Sequence, residues 1–291
     1  MGGWPNLADL LTSGDAPVAL LGAPLAAGSV TNGRCDLAPA MLRRTLARIG
    51  LYDVETRRSL STRVADRGDI ALEGLTIEQA TAPIREAAAA SVEAHGLTLL
   101  IGGNNAVTRP GVLAVGGDLS TVGLITLDAH FDMRDLDAGL SNGNPVRALI
   151  TDGLPGANVV QIGLAPFANS EAMHRDAIDA GNCVVTIGDV RRAGIEHAVA
   201  RALDHVAHCD ALVIDCDIDV IDRAQFPGAP GARAGGMAVD DFFWAVRKLA
   251  SGPRVRVMDL VEWDPSLDAG DLSALTAARW FAECLAGYEM R

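Results

Sequence analysis

Residues 122–132 read VGLITLDAHFD, and residues 211–219 read ALVIDCDID. Each opens as an unbroken apolar run of strand length and closes in carboxylates spaced two apart. An apolar run with no polar alternation suits a strand buried on both faces, as in a parallel sheet covered by helices. Further runs of the same kind are Val18 to Leu21, Val64 to Asp69, Leu97 to Ile101, Val159 to Ile162, Cys183 to Ile187 and Val255 to Val261. Between them lie segments of helical character: Pro39 to Ile49, Ile77 to His95, a short one from Val107, Glu171 to Ala180, Ile195 to Val206, Val239 to Leu249 and Leu272 to Leu285. Strands alternating with helices predict an α/β fold with a mostly parallel sheet of seven or eight strands. No Ser/Pro/Gly-rich linker interrupts the pattern, so a single domain over residues 1–291 is expected.

Composition agrees. The chain is 49% hydrophobic and 21% charged with a mean hydropathy of +0.21, which excludes a disordered chain. The net charge of −13 makes nucleic acid a poor partner. The uncharged run from Ala16 to Gly33 contains Pro17, Gly22, Pro24 and Gly28, so it reads as strand and loop and not as a membrane span. Five cysteines without a CxxC pair suggest reduced, buried thiols and a cytoplasmic location. The acidic excess is uneven, 27 Asp against 10 Glu, and several aspartates fall at strand ends.

Ligands of such a sheet bind beyond the carboxyl ends of its strands. Extended backbone places Asp128, His130 and Asp132 on one side, with Ala129 and Phe131 opposite; Asp217 and Asp219 likewise share a side, and Cys216 faces away. A third strand ends in Asp259-Leu260-Val261-Glu262. A lone DxD is more often a turn or a helix cap. Two such segments ending core strands of one sheet bring together carboxylates that repel unless a cation sits among them. Oxygen donors with one imidazole suit manganese or magnesium better than zinc or copper, and several bridging carboxylates suit two ions.

Asp128-Ala129-His130-x-Asp132 followed by Asp217-x-Asp219-x-x-Asp222 resembles the binuclear manganese motifs of the ureohydrolase family, the arginases, agmatinases and formimidoylglutamases. Gly33 to Arg43, Gly102-Gly103 and Asp259 to Glu262 are similar to further family segments, so the likeness spans nearly the whole chain. It implies a three-layer α/β/α sandwich around an eight-stranded, mostly parallel sheet, two Mn2+ per chain, and a homo-oligomer, trimer or hexamer. By resemblance Asp128 and Asp217 bridge the ions, His130 and Asp219 hold one, and Asp132 holds the other together with Asn105, which stands in Gly102-Gly103-Asn104-Asn105 where the family has histidine. An amide oxygen is a neutral, weaker donor. Asp132 is expected to orient water and relay its proton to the departing amine, and Glu262 to hydrogen-bond the amidine nitrogens.

Ser141-Asn142-Gly143-Asn144-Pro145 replaces the His-Gly pair of the guanidine hydrolases, and with Gln161-Ile162-Gly163 and Phe167 to Ser170 it looks more like formimidoylglutamases. The implied reaction is N-formimidoyl-L-glutamate plus water to L-glutamate plus formamide, as in histidine breakdown. Alternatives are an agmatinase-like or guanidinobutyrase-like guanidine hydrolase, or a family member that binds a metabolite without hydrolysing it. Substrate carboxylates require cations, and Arg147 and Arg109 lie in suitable loops, with Asn142 alongside. Arg223, where the family often has proline, has no reading from the sequence.

Overall fold

In the computed structural model, which describes residues 4–291, every apolar run singled out above contains a strand. The strands are β1 (Leu11–Thr12), β2 (Val18–Ala23), β3 (Tyr52–Asp53), β4 (Arg58–Ser59), β5 (Val64–Asp69), β6 (Leu97–Gly102), β7 (Val122–Leu127), β8 (Val159–Leu164), β9 (Cys183–Thr186), β10 (Ala211–Cys216) and β11 (Val255–Leu260). The helices are α1 (Ala38–Leu46), α2 (Ile77–Ala94), α3 (Thr108–Leu113), α4 (Pro145–Asp152), α5 (Glu171–Ala180), α6 (Ile187–Ala193), α7 (Ile195–His205), α8 (Val239–Ala250) and α9 (Leu272–Tyr288). Apart from the small β3–β4 ribbon, the strands form one nine-stranded sheet in the order β1-β5-β2-β6-β11-β10-β7-β8-β9, with parallel pairing throughout.

The ninth strand is the two-residue edge strand β1, too short to carry a periodic signal. Two helices escaped the sequence reading as well. Helix α4 begins at Pro145, a favourable first-turn residue. Helix α6 begins at Ile187, which the sequence places in a strand; Thr186 and Asp189 form a reciprocal cap that turns the chain there instead.

Strand residues alternate between two apolar layers. In β6, Leu97, Leu99 and Ile101 join the core under α1 and α6 to α9, whereas Leu100 joins the core under α2 to α5. The same division holds in β7, where Ile125 and Leu127 face one layer and Val122 and Leu124 the other. The result is a three-layer α/β/α sandwich. Each fully buried Leu, Ile or Val side chain contributes roughly 1.5–3 kcal/mol.

Strand order decides where function can sit. The chain leaves a gap between β6 and β7, then fills it with the last strands, β10 and β11. The carboxyl ends of four central strands, drawn from distant parts of the sequence, therefore open side by side, at the kind of reversal where open α/β sheets bind ligands. No described helix is long and apolar enough to cross a membrane.

Candidate metal centre

The strands stop just short of their acidic residues. β7 ends at Leu127 and β10 at Cys216, so Asp128 to Asp132 and Asp217 to Asp219 are loop and short 3-10 helix and not continued strand. The segregation expected from alternation persists nonetheless. Phe131 packs in the core and stacks on His174 at 5.3 Å between ring centroids, and Cys216 is fully buried away from the cleft. His130, Asp132, Asp217, Asp219 and Glu262 line a cleft of about 290 Å³, with Asp128 buried at its base.

Local hydrogen bonds fix each side chain. Asp128 Oδ1 accepts from the His130 backbone N–H at 2.6 Å, and Asp217 Oδ1 accepts from the Asp219 N–H at 3.0 Å, two Asx turns that hold the loops tight. The His130 imidazole Nδ1 lies 3.0 Å from Asp219 Oδ2 and 3.5 Å from Asp128 Oδ1. Asn169 braces the loop from outside, accepting from Phe131 N–H and donating to the Ala129 carbonyl, each at 2.9 Å. Glu262 Oε1 accepts from the Asn105 backbone N–H and from Asn142 Nδ2, both at 2.8 Å.

Asp132 and Glu262 both sit in the left-handed region, at φ 51° and 59°. Non-glycine residues there cost on the order of 1–3 kcal/mol and persist only where surroundings over-determine them. Here the Asp132 carbonyl accepts from Arg147 N–H at 3.2 Å, and Glu262 N–H donates to the Gly103 carbonyl at 3.0 Å.

Five carboxylates are at least nine-tenths buried here, with His130 as the only imidazole. Burial, and then repulsion from Asp219, push Asp128 up to about 6. Burial pushes Glu262 up to about 7 against the hydrogen bonds from Asn142 and Asn105. Burial and neighbouring carboxylates hold Asp132 and Asp217 well above the usual range. His130 runs the other way: burial opposes its charge, but Asp219 and Asp128 raise it to about 11. Asp219 is the one carboxylate of the cluster held low: burial pushes it up, but the His130 charge and the hydrogen bonds from His130 and the Ala129 N–H together outweigh that. Burial and mutual repulsion thus disfavour a fully ionised cluster, and the imidazolium offsets part of its charge. A divalent cation fits the same donor set: Asp128, His130 and Asp219 each offer a ligand atom within 4.8 Å of the others, and oxygen donors with one imidazole match manganese.

Asn105 turns its amide nitrogen toward Asp132, donating to Oδ2 at 2.5 Å, while its oxygen accepts from Thr108 Oγ1 at 2.6 Å. Thr108 Oγ1 also lies 3.0 Å from Asp259 Oδ2. Behind this row Asp215, raised by burial and by Asp259, completes a buried acid pair beneath the cleft.

Two expectations about cations are corrected. Arg147 does not reach the cleft: its guanidinium is taken by Asp176 and by the Met133 carbonyl. Arg109 is held in a two-point pair with Asp152, at 2.6 and 2.9 Å. Both face carboxylates formed by the packing of neighbouring helices, which the sequence order conceals. The arginines lining the cleft are Arg134 and Arg233, both exposed and without an ion-pair partner among the described residues. Arg134 follows the DAHFD segment by two residues and was within reach of sequence reasoning. Arg233 lies on an irregular loop with no signal.

A family model described as "Arginase family" matches residues 16–287. A formimidoylglutamase from Halalkalibacterium halodurans is 32% identical over 277 residues, covering 92% of this chain and 86% of that protein. The crystal structure of a formimidoylglutamase from Bacillus subtilis superposes with a TM-score of 0.93 at 27% identity, over 99% of this chain and 92% of that one. A Trypanosoma cruzi formiminoglutamase variant solved with Mn2+ shares the fold, with a TM-score of 0.89 at 24% identity over 99% of each chain.

Proposed function

The chain belongs to the arginase family, and from that premise we propose that it is a manganese-dependent hydrolase of a linear amidine, converting N-formimidoyl-L-glutamate and water to L-glutamate and formamide. The observation that carries this reading is one cleft with a carboxylate–imidazole cluster at its base and two unpaired arginines at its mouth. The substrate has the matching asymmetry, an amidine at one end and carboxylates at the other. The formimidoylglutamase relatives support the same substrate class.

Asp128, His130, Asp132, Asp217 and Asp219 would hold the manganese, two ions per chain by the family resemblance. Manganese bound there supplies Lewis acidity and makes water nucleophilic near neutral pH. Asp132, fixed by Asn105, takes a proton from the attacking water and returns it to the glutamate nitrogen as its bond to the formimidoyl carbon breaks. Both protein donors to Glu262 use Oε1, so Oε2 remains to accept from the amidine N–H groups as charge shifts there. Asn142 keeps Glu262 in that orientation. Arg134 and Arg233 bind the carboxylates through planar forks suited to them.

Asn105 makes the second ion the weaker one, since its nitrogen and not its oxygen faces Asp132. Asn105→His is expected to tighten that ion at least tenfold, read by elemental analysis after dialysis against graded manganese; unchanged stoichiometry removes this position from the metal site. Arg134→Ala and Arg233→Ala should each raise KM for the dicarboxylate about tenfold with little change in kcat, the signature of lost ground-state binding.

The direct test is metal content together with turnover of N-formimidoyl-L-glutamate, arginine, agmatine and guanidinobutyrate. Two manganese per chain with turnover of the first alone supports the proposal, and preferential turnover of a guanidine overturns it. The whole chain is proposed to act as one domain in a cytoplasmic homo-oligomer, trimer or hexamer, as the family resemblance implies; light scattering tests the assembly.

A further inference from the structure

The segment after β10 is closed upon itself. Asp222 accepts from Ala224 N–H at 2.8 Å and Gly235 N–H at 2.6 Å, and its own N–H donates to the Met237 carbonyl at 2.9 Å. Arg223 N–H donates to the Arg233 carbonyl at 3.1 Å. Residues 222–237 therefore form a loop with joined ends, of the compact kind packed by its own side chains.

One guanidinium, on the exposed Arg223, ties the loop together. Arg223 Nη1 lies 3.2, 3.2 and 3.3 Å from the carbonyl oxygens of Ala229, Pro230 and Ala232. Those three residues are buried, and buried carbonyls need donors. Gly231, between them, is pressed against the cluster: a Cβ there would fall 2.2 Å from Asp219 Oδ2. Arg233 follows two residues later and lines the cleft, its Nη1 donating to the Gly231 carbonyl at 2.6 Å. From the far side, Asp264 N–H donates to the Gly228 carbonyl at 2.7 Å.

We infer that Arg223 is a positioning residue that folds residues 229–233 over the cleft and thereby places Arg233 to bind a substrate carboxylate. The two N–H groups of Nη1 are shared among the three carbonyls, and a side chain without a donor would leave that contact unmade. The inference rests on the reading that the cleft takes an amidine bearing carboxylates.

Arg223→Ala is expected to raise KM for N-formimidoyl-L-glutamate about tenfold, with kcat within about twofold and manganese content unchanged. Turnover of N-butylformamidine, which has no carboxylate, should match wild type. Arg223→Ala and Arg233→Ala should not multiply, because the second change removes what the first misplaces. Arg223→Lys, with one compact ammonium, should restore part of the affinity. Independently of activity, amide hydrogen exchange across residues 226–236 should speed up at least tenfold in Arg223→Ala while β10 and β11 stay protected. Unchanged exchange in this loop overturns the inference, as does a fully multiplicative double variant or a loss carried by kcat and metal content. Accelerated exchange in Arg223→Ala, together with a wild-type chain inactive on formimidoylglutamate, would leave the loop's organisation standing and reject the substrate reading instead.

Discussion

Asp128→Asn should remove turnover, by ~10³-fold or more, the several kcal/mol expected when a charge-stabilising metal site is disabled. The substitution keeps shape and local bonding. Asp128 N–H still donates to the Ile162 carbonyl at 3.0 Å, and an amide oxygen can still accept from His130 N–H. The charge is lost, and one acceptor oxygen becomes an NH2 donor. Because Asp128 is 1% exposed and pushed up to about 6 by burial and by Asp219, removing its acid relieves a cost in the metal-free protein. Metal-free Asp128→Asn should therefore unfold at or above the wild-type temperature. Manganese should raise the unfolding temperature of wild type and far less that of the variant, since ligand stabilisation grows with the logarithm of the affinity for the folded state. Activity within tenfold of wild type would sink the metal assignment. A metal-free variant that melts well below wild type would show instead that the carboxylate serves the fold.

The second large effect concerns backbone. A Cβ on Gly103 would lie 1.9 Å from the Leu25 carbonyl oxygen and 2.6 Å from its carbonyl carbon and nitrogen. Neither segment can retreat freely. Gly103 N–H donates to Ala23 O at 2.8 Å, Asn104 N–H to Leu25 O at 3.0 Å, and Ala23 pairs with Gly102 across β2 and β6. Overpacking commonly costs about 1–3 kcal/mol, and a clash with main chain on both sides belongs at or above that limit. Gly103→Ala should lower Tm by ~5–10 °C, at a few degrees per kcal/mol for a chain of this size. It should also lower kcat about 10²-fold, because the Gly103 carbonyl holds Glu262 N–H and displacements near 1 Å carry such penalties. Gly117→Ala is the control: nothing lies within 4 Å of its Cβ position, and both properties should stay at wild type. Equal melting of the two variants would refute the close-approach argument.

Gly103 also shows why a glycine pair after a strand is ambiguous in sequence. The pair could cradle a ligand phosphate or admit another stretch of backbone. At Gly103 it is backbone that comes close.

How much was legible follows from the range of each interaction. Apolar runs and their acidic ends are local patterns, and local patterns located eight strands and the DAHFD and DID segments. The two-residue β1 and the helix opening at Ile187 were not legible, because the first is shorter than any period and the second depends on a cap formed by Thr186 and Asp189. Asn105 was visible as a departure from a family histidine, but not its orientation, which Thr108 and Asp132 set together.

The carboxylate recognition shows the limit best. Arg147 and Arg109 stand beside the site in sequence, yet Asp176 and Asp152 engage them once α5 and the end of α4 pack nearby. Arg233 stands 101 positions beyond Asp132 and comes to the same cleft. The sequence by itself determined the α/β class, the buried strands and the carboxylates at their ends, because hydrophobic periodicity and residue chemistry are written along the chain. Which cations meet those carboxylates was decided only by tertiary structure, because the late strands β10 and β11 enter the middle of the sheet and charge partners are chosen by distance in space.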